Sequence, residues 1–285
     1  MPPRAFVAGH PIAHSRSPMI HGHWLERMGI AGRYERVDVA PDAFPGFLRG
    51  LAREGYVGGN VTIPHKEAAF RLVDAPSARA QRLRAVNTVW LEDGVLVGDN
   101  TDVTGFVESL DAGLGTGWEA RLPRALVLGA GGAARAVAAG LLDRGLARVV
   151  VAARDVGKAE PLVGFDPRRV AALAFVEVER MLGGVDLLVN ATSLGMTGKD
   201  PLALDLAALP DGAAVADIVY APLETDLLRT ARARGLATVD GLGMLLHQAA
   251  PGFARWFGRR PEVTPELRAL VEADLARPSA ESVRR

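Results

Sequence analysis

The residues best placed to do chemistry begin with a glycine turn near the middle of the chain. Gly129, Gly131 and Ala134 fill a G-x-G-x-x-A pattern between a compact apolar run, 125–128, and a helix-forming run, 133–144, which Gly145 stops. In that pattern the first glycine allows a tight turn, the second lets backbone approach a pyrophosphate, and the small third residue lets helix pack on strand. Gly132 and Ala133 belong to the same turn, where the free N–H groups of a helix start attract phosphate. The chemistry expected is nucleotide binding; the plain alternative is a tight turn with no ligand.

Other candidates are single side chains. Lys66 follows Pro64 and His65 and falls in a first helical turn, where the helix dipole favours acids over cations. It is either a working lysine or a solvated one, and His65 reads as a turn or packing residue. Ser17-Pro18 reads as a helix cap with proline at the first helical position. Ser15 has no such duty, and its hydroxyl beside a helix start suits an anionic group. Asp102 either caps the next helix or does chemistry, and Asp99 competes for the cap. Arg154 and Lys158 stand about 25 residues beyond Gly129, where an NAD site would carry an acid for the ribose hydroxyls. A guanidinium there suits a 2′-phosphate instead, so NADP is favoured, with Asp155 as the complication.

The elements must place these residues. Strands are expected at 6–9, 34–39, 148–153, 186–190, 214–219 and 237–239, besides 125–128 and a strand running into Pro64. Helices are expected at 42–53, 104–110, 225–234 and 265–276, and Ile20, Trp24 and Met28 recur at helical spacing until Gly29. Asp93-Gly94 marks a two-residue hairpin turn that sets Asn87 opposite Asn100 and draws Asn87 and Asp102 into one neighbourhood. The run 113–117 reads as a loop. Thr192 and Ser193 follow a strand end and are candidate cofactor contacts, because such ends line the cofactor crevice of an open parallel sheet. Phe253, Trp256 and Phe257 read as core, His21 and His23 as a poor metal pair, and 278–285 as a polar tail.

Composition narrows the class. The chain has 285 residues, 49% of them apolar, zero formal net charge and no cysteine. That excludes a disulfide framework and thiolate metal sites, and it argues against nucleic-acid and membrane-surface partners, which need clustered cations. The N-terminal residues lack a signal-peptide layout. The expectation is a soluble cytoplasmic protein.

These motifs together resemble the shikimate dehydrogenase family. The resemblance runs from Val7 to about Phe257. It rests on Ser15-Arg-Ser-Pro18, Gly59-Asn-Val-Thr-Ile-Pro-His-Lys66, Ala85-Val-Asn-Thr88, Gly98-Asp-Asn-Thr-Asp102, Gly129-Ala-Gly-Gly-Ala-Ala-Arg135, Asn190-Ala-Thr-Ser-Leu-Gly-Met196, Asp217-Ile-Val-Tyr220 and Gly241-Leu-Gly-Met-Leu-Leu-His-Gln248. The resemblance implies an α/β protein of two domains: an α/β substrate-binding domain at 1–103 and a Rossmann-type doubly wound NADP-binding domain at 104–240. C-terminal helices, 241–285, return to the first, with substrate in the cleft between the domains. It implies reversible reduction of 3-dehydroshikimate with NADPH in aromatic amino-acid biosynthesis. Lys66 and Asp102 would be the catalytic pair. Ser15 and Ser17 would hold the substrate carboxylate; Asn60, Thr62, Asn87, Tyr220 and Gln248 would contact the ring hydroxyls or that carboxylate. Gly129, Gly131, Gly132, Ala133, Arg154, Lys158, Thr192, Ser193 and Gly241 would hold NADP. A lysine ammonium at the ketone oxygen stabilises the charge that hydride delivery builds there and supplies the proton, so no metal is expected.

Departures from the family pattern are specific. Its usual Asn-Arg-Thr at the second strand end is Ala153-Arg154-Asp155 here, Val103 replaces a glycine after Asp102, and Pro251 falls inside the late helix. The nearest rival is an NAD-dependent quinate or quinate/shikimate dehydrogenase. A rival of another class is a non-catalytic ligand-binding regulator on the same fold, which would be free to lose Lys66 or Asp102.

Overall fold

The computed structural model describes residues 2–277, so the tail read at 278–285 lies outside the described residues. The chain divides into two compact units: residues up to Thr101 with Leu246–Val271, and Asp102–Leu245 with the chain from Glu272.

The first unit begins β1 (Arg4–Gly9), α1 (Ser17–Arg27), β2 (Arg33–Asp38), α2 (Phe44–Arg49) and β3 (Tyr56–Val61). It continues with α3 (Lys66–Leu72), β4 (Ala75–Pro76), α4 (Ala78–Leu83), β5 (Thr88–Glu92) and β6 (Val95–Asp99). Its six-stranded sheet has the order β2-β1-β3-β5-β6-β4. β1 pairs in parallel with β2 and β3, and the β5–β6 hairpin joins antiparallel to β3. Asp93 and Gly94 both take positive φ, 52° and 81°, the two-residue turn that fits the right-handed twist of a hairpin. Thr88 consequently faces Asp99, the expected register. Phe6, Ala8, Phe44, Leu48, Val61 and Val89 share the core on one face.

The second unit holds α5 (Asp102–Leu114), α6 (Trp118–Arg121), β7 (Arg124–Leu128), α7 (Gly132–Asp143) and β8 (Arg148–Ala153). There follow α8 (Glu160–Val163), β9 (Val170–Ala174), α9 (Val178–Met181), β10 (Leu187–Asn190), β11 (Ala214–Asp217), α10 (Asp226–Ala233) and β12 (Ala237–Val239). All strand pairs here are parallel, in the order β12-β11-β10-β7-β8-β9. β7 comes first in sequence and lies inside the sheet, so strands are added outward on both sides of it. That makes the β7–β10 gap the topological switch point, where open α/β sheets bind ligands. Apolar clusters cover both faces, one with Phe106, Trp118 and Val137, the other with Val178, Leu206 and Leu228. The fold is therefore doubly wound. α11 (Gly241–Phe257) starts in this unit and carries the chain back into the first at Leu246; α12 (Pro265–Leu275) follows. Among the described residues, no helix is long and apolar enough to cross a membrane.

Several expected bounds shift. β3 stops at Val61 instead of running to Pro64, and α2 is shorter than 42–53. α5 starts two residues before the expected Thr104, with Asp102 in its first turn, and runs through Gly113. A Cβ at Gly113 would lie 2.8 Å from Val239 Cγ2, so packing rather than loop freedom explains that glycine. β11 stops at Asp217, because the Asp217 carboxylate takes the Val219 N–H at 3.0 Å and turns the chain. β9, β4 and α4 carry no clear periodic signal; β9 is an alanine-rich edge strand of low strand propensity.

Candidate active site

In the first unit, the segments after β1, β2 and β3 build one polar cluster. Ser17 is the first residue of α1 and makes no capping bond; the cap residue is Arg16. The expected cap role passes to Ser15, whose Oγ accepts the Ser17 N–H at 3.3 Å. Ser15 is itself held by Arg36 on β2, whose Nε and Nη2 donate to its carbonyl at 2.9 and 2.6 Å. Asp38 anchors the same loop through His10 Nδ1 at 2.6 Å, and that bond holds its carboxyl below the usual range.

Ser17 is buried, and the Tyr34 phenol donates to Asn60 Oδ1 at 2.6 Å. Burial pushes the Tyr34 phenol well above its usual value, against the opposing pull of neighbouring Ser17 and Asn60. Asn60 Nδ2 donates to the Asn87 carbonyl and to Thr88 Oγ1, each at 3.2 Å. Asn87 in turn accepts the Thr101 N–H on Oδ1 at 2.8 Å and reaches Gln248 Oε1 with Nδ2 at 3.5 Å. Of the residues expected around substrate, Asn60, Asn87 and Gln248 are thus joined by hydrogen bonds, and Ser17, bonded to Ser15, lies near the same phenol. Pro251 stands inside α11 and leaves Gln248 within this network.

Lys66 opens α3 and is half-buried. Its carbonyl accepts the Val86 N–H at 2.9 Å, which brings it beside the Asn87 segment. His65 is a packing residue: its Nε2 meets the Val39 carbonyl at 2.7 Å and its ring stacks on Phe44. Thr62 donates its N–H to Ala8 and sits half-buried at the β3 end. Asp102 is buried in the first turn of α5, immediately after Thr101. Asp99 is taken by Ser77 at 2.5 Å and by Arg79 at 3.6 Å.

His21 was expected to bind no metal, and it lies buried among aromatic rings, stacked on Tyr34 at 3.9 Å. Burial pushes it down to about 3, with Asn60 pulling the other way. Neither ring nitrogen completes a hydrogen bond of normal length.

In the second unit the glycine turn lies at the switch point. Gly129 has φ +106°, and a Cβ there would stand 2.9 Å from the Ala191 carbonyl oxygen at the end of β10. A Cβ at Gly131 or Gly132 would meet no protein atom within 4 Å. Gly129 is therefore fixed by the fold, while the other glycines keep bare backbone beside open space at the start of the twelve-residue α7. Ala134 is fully buried against the strand, and Ala133 is half-buried in the first turn. These features fit a dinucleotide: a pyrophosphate needs close backbone approach and unspent helix-start N–H groups.

Arg154 and Lys158 are exposed beyond the β8 end. Asp155, the complication, turns its Oδ1 onto the Gly157 N–H at 3.1 Å and caps the short turn 156–158. Thr192 spends its hydroxyl inside its own loop, donating to Asn190 Oδ1 at 2.7 Å and accepting the Leu194 N–H at 3.0 Å. Ser193 beside it is exposed. At Gly241 a Cβ would lie 2.2 Å from the Ile218 oxygen, so packing within the chain already explains that glycine. Tyr220 is half-buried after β11.

Sequence reasoning assigned no role to Tyr34, Arg36, Thr101, Asp217 or Thr225. Tyr34 carried a signal: strand alternation in β2 turns it inward between Arg33 and Glu35. Thr225 carried one too, a threonine cap at the start of α10. Arg36, Thr101 and Asp217 reach their partners through tertiary hydrogen bonds that no spacing rule reveals.

Comparisons with known proteins agree along the chain. Residues 7–89 match the family described as shikimate dehydrogenase substrate binding domain, 118–197 that described as shikimate / quinate 5-dehydrogenase, and 241–270 that described as shikimate 5'-dehydrogenase C-terminal domain. The chain is 63% identical to a shikimate dehydrogenase (NADP(+)) of Methylobacterium radiotolerans, over 96% of this chain and 98% of that one. Its structure is similar to that of a Thermus thermophilus shikimate 5-dehydrogenase in complex with NADP(H) and shikimate, at TM-score 0.82 and 39% identity, covering 96% and 99% of the two chains. It is also similar to a Corynebacterium glutamicum quinate dehydrogenase in complex with NAD, at TM-score 0.87 and 32% identity, covering 95% and 99%.

Proposed function

The chain belongs to the shikimate dehydrogenase family and is an NADP-dependent oxidoreductase, and from this premise we propose how its residues divide the work. The reaction is the reversible reduction of 3-dehydroshikimate to shikimate, a step of aromatic amino-acid biosynthesis. NADPH supplies the hydride when bound. Lys66 stands at the ketone oxygen, where its ammonium offsets the negative charge that forms as the carbonyl carbon takes the hydride. It then gives that oxygen a proton, and in the oxidation direction the neutral amine takes the proton back. Asp102 is the second catalytic residue and holds a substrate hydroxyl. Ser15 and Ser17 bind the carboxylate, while Asn60, Thr62, Asn87, Tyr220 and Gln248 orient the ring.

One observation carries the substrate side: Asn60, Asn87 and Gln248 share a single hydrogen-bonded network with Tyr34. Lys66 adds support, since its carbonyl bonds the residue before Asn87, and Thr101, next to Asp102, bonds the Asn87 side chain. For the cofactor, Gly129, Gly131, Gly132 and Ala133 take the pyrophosphate, and Arg154 with Lys158 takes the 2′-phosphate. Thr192, Ser193 and Gly241 line the remainder. Asp155 supports this reading because its carboxylate is turned onto Gly157. The enzyme is proposed to work in the cytoplasm, as a monomer or homodimer.

The test is the initial rate of nicotinamide reduction with shikimate or quinate, each paired with NADP or NAD. Activity concentrated in shikimate with NADP is the expected result. Dominant activity with quinate and NAD would move the chain to quinate metabolism, the reading that the Corynebacterium likeness keeps open.

A further inference from the structure

We propose that Tyr34 is a positioning residue for substrate, setting the Asn60 amide in the orientation it uses. The proposal rests on the assignment of Asn60 to substrate given above.

Tyr34 reaches inward from β2, and its ring is clamped between neighbours. It stacks on His21 at 3.9 Å and 19°, and Trp256 stands 5.7 Å away. Such packing leaves the phenol oxygen little room to wander. A phenol has one proton, and it goes to Asn60 Oδ1 at 2.6 Å.

That bond fixes the amide of Asn60. Both Nδ2 protons are spent, on the Asn87 carbonyl and on Thr88 Oγ1. Oδ1 takes the Tyr34 proton and also faces the buried His21 ring. With both protons committed, Asn60 can meet substrate only as an acceptor, through Oδ1, and so favours a hydroxyl. Tyr34 fixes this polarity, because its proton is what holds the amide oxygen on that side. Burial keeps the phenol protonated, so it stays a donor across the working pH range.

The experiment compares Tyr34→Phe, Asn60→Ala and the double variant with the parent enzyme. It measures KM for shikimate, kcat, and the NADP dissociation constant by nucleotide fluorescence. Phe keeps the stacked ring and removes only the hydroxyl, so folding should survive, and a thermal melt checks it. The expected result for Tyr34→Phe is a KM raised about tenfold, with kcat within about threefold and NADP binding unchanged. The double variant should raise KM by less than the product of the two single effects, since both act on one site. A raised KM in Asn60→Ala beside an unchanged KM in Tyr34→Phe would overturn the proposal alone. An unchanged KM in Asn60→Ala would overturn the underlying assignment and the proposal with it. A fall in NADP affinity equal to the rise in KM would reduce Tyr34 to a general packing residue and also overturn it.

Discussion

Asn190 donates its Nδ2 to Asp217 Oδ1 at 3.0 Å, and both side chains are buried at the ends of neighbouring parallel strands. Each then organises the loop that follows it. Asn190 accepts the Thr192 N–H and donates to the Leu194 carbonyl; Asp217 accepts the Val219 N–H and the Thr225 hydroxyl. The two loops meet again where the Thr197 N–H reaches the Ala221 carbonyl at 2.8 Å. One loop carries Thr192 and Ser193, the other Tyr220, so a single buried pair sets residues assigned to cofactor and to substrate.

Asp217→Ala should therefore destabilise the second unit strongly. It strands three donors, from Asn190, Val219 and Thr225. A buried donor left unpaired costs about 1–3 kcal/mol, so the expected loss is about 3 kcal/mol or more, read from urea unfolding. Asn190→Ala should weaken NADP binding as well. Because the residues share a bond, the double variant should lose less than the sum of the singles. Strict additivity would mean the pair does not act as one unit.

The glycine turn allows a cleaner separation of fold from function. Gly129→Ala puts a side chain at φ +106° and 2.9 Å from the Ala191 oxygen, which should cost about 1–3 kcal/mol of stability and abolish tight NADP binding. Gly131→Ala meets no protein atom. It should leave the melting temperature almost unchanged and still weaken NADP by tenfold or more, about the loss expected when backbone is pushed off a phosphate. Equal effects of both substitutions on stability would contradict the geometry.

Cofactor choice should divide along Arg154 and Asp155. Arg154→Ala is expected to weaken NADP by about tenfold or more while leaving NAD binding nearly unchanged, since only NADP carries the 2′-phosphate. Asp155→Ala removes the cap on Gly157, so it should loosen the loop and weaken NADP too. If Asp155→Ala instead strengthens NADP, the carboxylate faces the phosphate and acts by repulsion. Binding titrations with both nucleotides distinguish these outcomes.

Lys66→Ala tests the chemistry apart from binding. General acid assistance by one side chain is worth about 100- to 10,000-fold, and kcat should fall within that range or beyond it. NADP binding should be nearly unaffected, because Lys66 belongs to the first unit and the glycine turn to the second. A variant that keeps most of its turnover would remove Lys66 from the reaction.

Legibility in the sequence followed the range of the interactions concerned. The place of Lys66 at the start of α3 followed from Pro64, a local signal. The β5–β6 register followed from Asp93-Gly94, and Arg154 at the end of β8 from a continuous apolar run. Ser17 was misread as a cap, because a serine before proline fits that role; the structure starts the helix one residue earlier and gives the bond to Ser15. The Tyr34–Asn60 and Asn190–Asp217 bonds join residues on different strands. They depend on which side chains tertiary packing brings within 3 Å, and no local period encodes that.

His21 supplies the sharpest pH prediction. Its ordinary value is 6.5, and burial lowers it to about 3 in the folded protein. Between those values the unfolded chain binds a proton that the folded chain refuses, so stability rises with pH. The contribution is fully present above 6.5 and is lost as the solution is acidified toward 3, at about 1.4 kcal/mol per pH unit at most. His21→Phe keeps a flat ring against Tyr34 and removes two nitrogens that have no bond of normal length. The variant should match or exceed the parent in melting temperature at pH 7. Its advantage should widen steadily from pH 6.5 to pH 4.5, while turnover at pH 7 stays close to that of the parent. Parallel melting curves for the two proteins over that range would mean that His21 is protonated in the folded state and that its burial among the rings is not what governs it.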